Sequence, residues 1–308
     1  MEHLKNIKQV DVKKQMMVKD LLKEFSGSGV MGAGRLAKAV DIASEMKAEK
    51  KAGLKVFFGL AGAMVPGGMK NIMIDMLDSG YIDVFVTTGA NLTHDMAECL
   101  GFNHYQGDSD ADDAKLLKQG YDRMFDAYMP NKVYGDMEDF FKKNFESLKE
   151  KETIKDFLWE LGRLLPSKNR SILKTCYEKK IPIFCPAISD SGIGLMIWGN
   201  LAQGKKISTN AFSDLKEMIS LAWDAKKAGV FYVGGGVPKN FIQQAMQLSP
   251  KAAEFGIQIT MDRPESGGSS GADLKEGISW GKMNPKAKFV TVICDTTIAL
   301  PIVWACVK

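Results

Sequence analysis

VFYVGGGVPKN, residues 230–240, is the stretch on which the fold turns. An apolar, aromatic run with the character of a buried strand passes directly into three glycines. It then enters KNFIQQAMQLSPKAAEFG from 239, where apolar positions recur at helical spacing. Strand, glycine turn and helix in that order open a βα unit, and the order repeats. LKVFFGLAGA from 54, IDVFVTTGAN from 82, IPIFCPAISDSG from 181, IQITMDRPESGG from 257 and KFVTVICDTT from 288 are further runs rich in Val, Ile and Phe that lead into Gly, Thr, Ser or Asp. Helical periodicity lies between them, as in MKNIMIDMLDSG from 69. The alternation implies an α/β fold with a doubly wound, mainly parallel sheet of Rossmann-like type and helices on both faces. Ligands of such sheets bind beyond the carboxyl ends of the strands, and every motif considered below is expected at such an end.

Residues 105–170 break the alternation. AKLLKQGYDRMFDAYMP and MEDFFKKNFESLKEKETIKDFLWELGRLL are rich in charge with scattered aromatics, which predicts a segment of amphipathic helices laid over the sheet. With no linker and no internal repeat, residues 1–308 are expected to form one domain.

Composition narrows the function classes. At 45% hydrophobic and 25% charged residues, the chain has the make-up of an ordered globular protein. Its 41 basic and 37 acidic residues are interspersed, so the net charge of +4 offers no basic arm for nucleic acid. The five cysteines, at 99, 176, 185, 294 and 306, are odd in number and lack CxxC spacing, which fits reduced thiols in the cytoplasm. MEHLKNIKQVDVKKQ lacks an apolar signal core, and the apolar run near residue 300 is broken by Asp295 and Pro301, so no export and no membrane span are expected. Histidines at 3, 94 and 104 give no metal-ligand spacing, and no metal is expected.

The strand ends carry the chemistry. The glycines from Gly234 and Gly235 onward let backbone amides approach a phosphate at a helix start, or simply form a tight turn. Asp190 in AISDSG and Asp295 in CDTT either accept hydrogen bonds from the two hydroxyls of a ribose or cap the following helix. VTTGANLTHD, 86–95, sets Thr87 and Thr88 at another strand end, followed by His94. RPESGGSSGADLKEGISWGK, 263–282, combines a glycine-serine loop with Glu276, Trp280 and Lys282. A carboxylate and an indole face suit a protonated amine, and a lysine that becomes neutral in a dry site is a nucleophile. The plainer alternative is a surface lysine following a core tryptophan.

These pieces resemble the deoxyhypusine synthases and their homospermidine synthase relatives. SGA, a Glu and SWGK, preceded by GGGVPK and followed by CDTTIALP, carry the likeness, and KIPIFCPAISD, VTTGAN, FGLAGAMVPGG and SGSGVMGAGRLAKAV extend it over nearly the whole chain in one order. The resemblance implies that NAD oxidises a polyamine to an imine, that Lys282 captures the aminobutyl group as a second imine, and that an acceptor amine receives it. It implies a polyamine site around Glu276, Trp280, Asn240, Gly267, Gly268, Ser269 and His94. NAD contacts would come from Gly62, Ala63, Thr88, Gly89, Asp190, Gly234, Gly235, Asp262, Asp295 and Thr296. A homotetramer with active sites at subunit interfaces also follows from it.

The pattern is incomplete. Asn240 stands where the family carries a histidine, Leu195 and Ser269 stand where it carries acids, and His94 replaces a further acid. Each lost charged contact costs roughly 1.5–3 kcal/mol of polyamine binding. The leading expectation is therefore transfer to a small amine, giving homospermidine from putrescine or spermidine. Transfer to a lysine of a translation initiation factor precursor, giving deoxyhypusine, is the alternative within the family. A catalytically silent NAD-binding protein is the alternative from another class.

Overall fold

The computed structural model describes residues 4–166 and 168–308. Among them the strands run, in chain order, β1 (Leu54–Leu60), β2 (Val84–Thr87), β3 (Tyr105–Gln106), β4 (Tyr121–Met124), β5 (Ala127–Pro130), β6 (Ile183–Phe184), β7 (Lys227–Val233), β8 (Ala253–Thr260) and β9 (Met283–Ile293). The chain forms two compact units, one of residues 1–59 with 219–308 and the other of residues 60–218. The α/β class and the parallel strands flanked by helices in each unit are those expected.

In the first unit the strands lie in the order β1-β7-β8-β9. β8 runs parallel to both neighbours, with Gly229 opposite Phe255, Val233 opposite Ile259 and Thr260 opposite Ile293. Strands of a parallel sheet covered on both faces bury nearly all their residues. Val56, Phe57, Phe58, Val230, Tyr232, Ile257 and Ile259 are accordingly sealed from solvent. The register of β8 against β9 slips between Ala253 and Phe255, whose partners are Met283 and Lys288, so Asn284–Ala287 loop out of the ladder.

In the second unit β2 and β6 pair in parallel, with Phe85 opposite Ile183. Residues 105–170 differ from the all-helical expectation. AKLLKQGYDRMFDAYMP is helical only at its start, within the helix Asp113–Gln119; Gly120 ends that helix in the left-handed region at φ 78°, and β4 and β5 then form an antiparallel hairpin completed by β3. The turn places Phe125 at φ 57°, an uncommon conformation for a residue with a side chain. The helices Val133–Leu148 and Ile154–Leu164 follow as expected, each burying one apolar face that includes Phe141, Phe145, Phe157 and Leu161. No helix among the described residues is long and apolar enough to cross a membrane.

Candidate active site

The connection between β8 and β9 builds the site. It leaves the carboxyl end of β8 and must return to the opposite end to start a parallel β9, so its 22 residues travel the length of the sheet. Gln258, fully buried on β8, anchors the outward part: its amide donates to the carbonyls of Gly234 (3.1 Å) and Ser270 (2.8 Å). The fit there is backbone on backbone. A Cβ at Gly235 would lie 2.4 Å from Ser270 Cα, and one at Gly271 would lie 2.0 Å from the Arg263 carbonyl oxygen.

The return leg carries the reactive groups. Asp273 caps the short 3₁₀ turn Leu274–Ile278 by accepting from the Lys275 amide at 3.2 Å, while Glu276 Oε1 accepts from the Asp273 amide at 3.4 Å. This reciprocal cap holds Glu276 on the turn. Lys282 follows, with its N–H donating to the Gly277 carbonyl (2.8 Å) and its own carbonyl accepting from Ala253 N–H (3.2 Å). The Lys282 amine lies 4.8 Å from the centroid of the Trp280 ring; Lys282 as a residue is half-buried and Trp280 is 59% exposed. Because Ala253 begins β8, the backbone of Lys282 sits at the amino ends of β8 and β9. The expectation that every motif lies at a carboxyl end is corrected here, since a returning crossover delivers its last residues to the other end.

Lys282, Trp280, Glu276, Asn240 and Ser269 line one cavity of about 70 Å³. Gly267 and Gly268 sit in the exposed loop just before it, Gly267 at φ 71°. Ala272, Asp273, Leu274 and Gly277 from the returning segment also line it, as do two helix residues that sequence reasoning did not single out, Lys239 and Gln243. Lys239 is buried, donates to Gln258 Oε1 (2.9 Å) and to the Ala272 carbonyl, and its amine is pulled down to about 8 by burial. Gln243 donates to the buried Tyr232 hydroxyl at 2.7 Å. The one sequence signal for Lys239 is a cationic residue in the first turn of a helix, where the helix dipole disfavours it.

The cofactor candidates lie at strand ends. Gly234 (φ 70°) and Gly236 (φ 55°) turn the chain from β7 into the helix Gly236–Leu248, whose start is capped by no side chain. Asp262 is exposed just beyond β8. Asp295 is the cap of the helix Thr296–Val307, its Oδ1 accepting from both N–H and Oγ1 of Thr297 at 2.8 Å. Thr296 is buried as the first residue of that helix.

In the second unit, Gly62 (φ 79°) and Ala63 form an exposed turn after β1. Buried Asn91 ties that turn to the next helix start, its Oδ1 accepting from Met64 and Val65 amides (3.2 and 3.4 Å) and its amide donating to Thr88 Oγ1 (3.2 Å). Thr88 caps the helix Gly89–Cys99, and Gly89 is closely packed on Ser191, which a Cβ would meet at 2.4 Å. Ser191, not Asp190, caps the helix Gly192–Ala202, and the exposed Asp190 carboxylate is not used for capping.

His94 belongs to a chain of polar groups in this unit. Its Nδ1 lies 2.9 Å from Nε2 of His104, whose Nδ1 lies 2.8 Å from Glu98, and Glu98 pairs with Lys70. Burial, aided by His104, pulls the His94 imidazole down to about 4. A folded-state value below the ordinary 6.5 means that stability is complete above about pH 6.5 and is lost as pH falls toward 4. His94→Gln is expected to lose less of its denaturation midpoint between pH 7.5 and pH 4.5 than the parent; equal losses would show that His94 does not carry the acid limb. A larger cleft of about 800 Å³ borders Lys70 and Glu98, with Lys168 and Arg170 on its rim. No tryptophan lines it, and its acid Glu98 is already paired with Lys70, as Arg170 is with Asp75 and Asp78.

The sequence profile of the deoxyhypusine synthase family matches residues 20–307. The chain belongs to the deoxyhypusine synthase family. It is 45% identical over 303 residues to "probable deoxyhypusine synthase 1" of Methanosarcina mazei, covering 98% of this chain and 94% of that one. It is 40% identical to the protein of the same name in Archaeoglobus fulgidus, over 96% of this chain and 95% of that one. Among solved structures, a proposed deoxyhypusine synthase from Entamoeba histolytica superimposes with a TM-score of 0.63 at 17% identity, covering 97% and 96% of the two chains, a likeness of fold. Against the family pattern, Asn240 and Ser269 are neutral residues inside the cavity, and Leu195 is 56% exposed on the helix Gly192–Ala202.

Proposed function

We propose that this chain is an NAD-dependent deoxyhypusine synthase, which moves the aminobutyl group of spermidine to a lysine of a protein acceptor through an imine on Lys282. The observation that carries the reading is the single cavity in which the Lys282 amine, the Trp280 ring and the Glu276 carboxylate lie together. A ring face and a carboxylate hold a protonated amine, and a half-buried lysine beside them can attack an imine carbon when neutral. Full-length relatives bearing the deoxyhypusine synthase name favour a protein acceptor.

The strand-end residues of the first unit fit a dinucleotide. The helix start at Gly236 offers backbone N–H groups unclaimed by any cap, the close approach at Gly235 leaves no room for a Cβ, and Asp262 offers an exposed carboxylate. Bound there, NAD would supply the hydride acceptor, while Lys282 would carry the group between donor and acceptor.

A second reading, transfer to a free diamine, is favoured by the neutral Asn240 and Ser269 in the cavity, where fewer charges are available to grip a long polyamine. Incubation with NAD and spermidine, offering a translation initiation factor precursor and putrescine in parallel, decides between them by mass spectrometry. Modified protein is the expected product; homospermidine alone would establish the second reading, and no transfer would reject both. Self-association is a further part of the proposal: Leu195, Trp198 and Leu201 are exposed on the apolar helix Gly192–Ala202, which suits a homotetramer with shared sites.

A further inference from the structure

A buried lysine is the feature that the transfer chemistry leaves unused. Lys239 is 5% exposed in the first turn of the helix Gly236–Leu248, and its two partners, Gln258 Oε1 and the Ala272 carbonyl, are both uncharged. An ammonium is poorly accommodated in such a place, with its water removed and no carboxylate bonded to it, on a residue in the positively polarised first turn of a helix. Burial brings the neutral amine closer to reach at ordinary pH. Its two N–H groups serve the two acceptors, and one lone pair remains.

The surroundings point the same way. Asp273 and Glu276, on the returning segment, favour the charged form; burial, the largest influence, and Lys282 oppose it. Gln258 on β8 and Asn240 and Gln243 on its own helix carry no charge. Lys239 and Lys282 line the same cavity, and Asn240, which stands where the resemblance places a histidine, cannot take up a proton.

We propose that Lys239 is the proton acceptor of this cavity, taking the proton that a bound secondary ammonium must lose before its nitrogen can take part in imine formation. The inference rests on the amine-transfer reading of the same cavity. In the step, an N–H bond of the donor R₂NH₂⁺ breaks and a new N–H bond forms at neutral Lys239. The products are the free amine R₂NH and the Lys239 ammonium; nothing is oxidised or reduced.

The test reads proton release on binding rather than turnover. With the amine titrating near 8 in the free protein, Lys239 is mostly charged at pH 7, so it must shed its own proton before it can accept one. Titration calorimetry of spermidine into the full chain saturated with NADH, so that no oxidation occurs, in buffers of differing ionisation enthalpy, counts the protons released. Release near one proton per site at pH 7, declining as pH rises through 8, is expected for the parent. Lys239→Met, checked by circular dichroism, is expected to lose that release while Lys282 remains. Should Lys239→Met fail to fold, Lys282→Arg in the same titration decides: release retained there comes from Lys239, and release lost there overturns the proposal. Spermidine binding with no pH-dependent release, or with the same release in a folded Lys239→Met, overturns the proposal and leaves the transfer reading standing. Absence of any spermidine binding removes the transfer reading and this inference with it.

Discussion

Lys282→Arg is expected to abolish aminobutyl transfer, by at least about 10³-fold, while leaving the fold intact. Arginine keeps a positive charge over the Trp280 ring, so the cation–π contact survives, but a guanidinium does not become neutral and cannot form an imine. The main-chain bonds at this position, to Gly277 and from Ala253, are indifferent to the side chain, and the half-buried residue contributes little to packing. Borohydride added during turnover with NAD and spermidine should attach the migrating group to the parent at Lys282 and to the variant at no site. Retained turnover in Lys282→Arg, with an unchanged melting temperature, would exclude covalent transfer through this residue.

Asp95→Ala is expected to be the most damaging substitution for stability, costing about 3–5 kcal/mol. The carboxylate is fully buried and accepts three hydrogen bonds: from Ser171 Oγ at 2.7 Å, from Ile172 N–H at 2.9 Å and from Leu173 N–H at 3.0 Å. Those donors start the helix Ile172–Lys179, so one side chain on the helix Gly89–Cys99 caps a second helix from outside. Removing it strands two backbone N–H groups and a hydroxyl away from water. Urea denaturation at pH 7 measures the loss, and Asp95→Asn, which retains one acceptor oxygen, should recover part of it. A loss below about 1 kcal/mol would mean that water replaces the carboxylate in this cluster.

The same physical division governs what the sequence made legible. The parallel strands could be read because most are apolar runs buried on both faces and stopped by Gly, Thr, Ser or Asp, a pattern that depends on local composition alone; β9 is buried this way only in its second half. The β4–β5 hairpin escaped because Tyr121, Asp122, Arg123 and Met124 mix charge with apolar bulk, and its turn rests on Phe125 at positive φ rather than on an Asn-Gly or Asp-Gly pair. In the site, Glu276, Trp280 and Lys282 share one stretch of chain, so local spacing already suggested their meeting. Lys239 is 43 residues from Lys282, and its burial is a product of tertiary packing that no spacing reports. Asp295 shows the opposite limit: its residue type and position suited both a cap and a ribose contact, and the bonds of its Oδ1 to Thr297 show the cap.

The doubly tethered backbone of Lys282 separates the reagent from its clientele. Gly277 and Ala253 fix where the amine emerges, whereas Ser269, on the outward leg of the same connection, and Asn240, on the helix Gly236–Leu248, reach the cavity without those two bonds. Residues that choose the guest can therefore drift, or be redesigned, without dislodging the atom that does the work, a modularity through which one scaffold could serve macromolecular and small recipients alike.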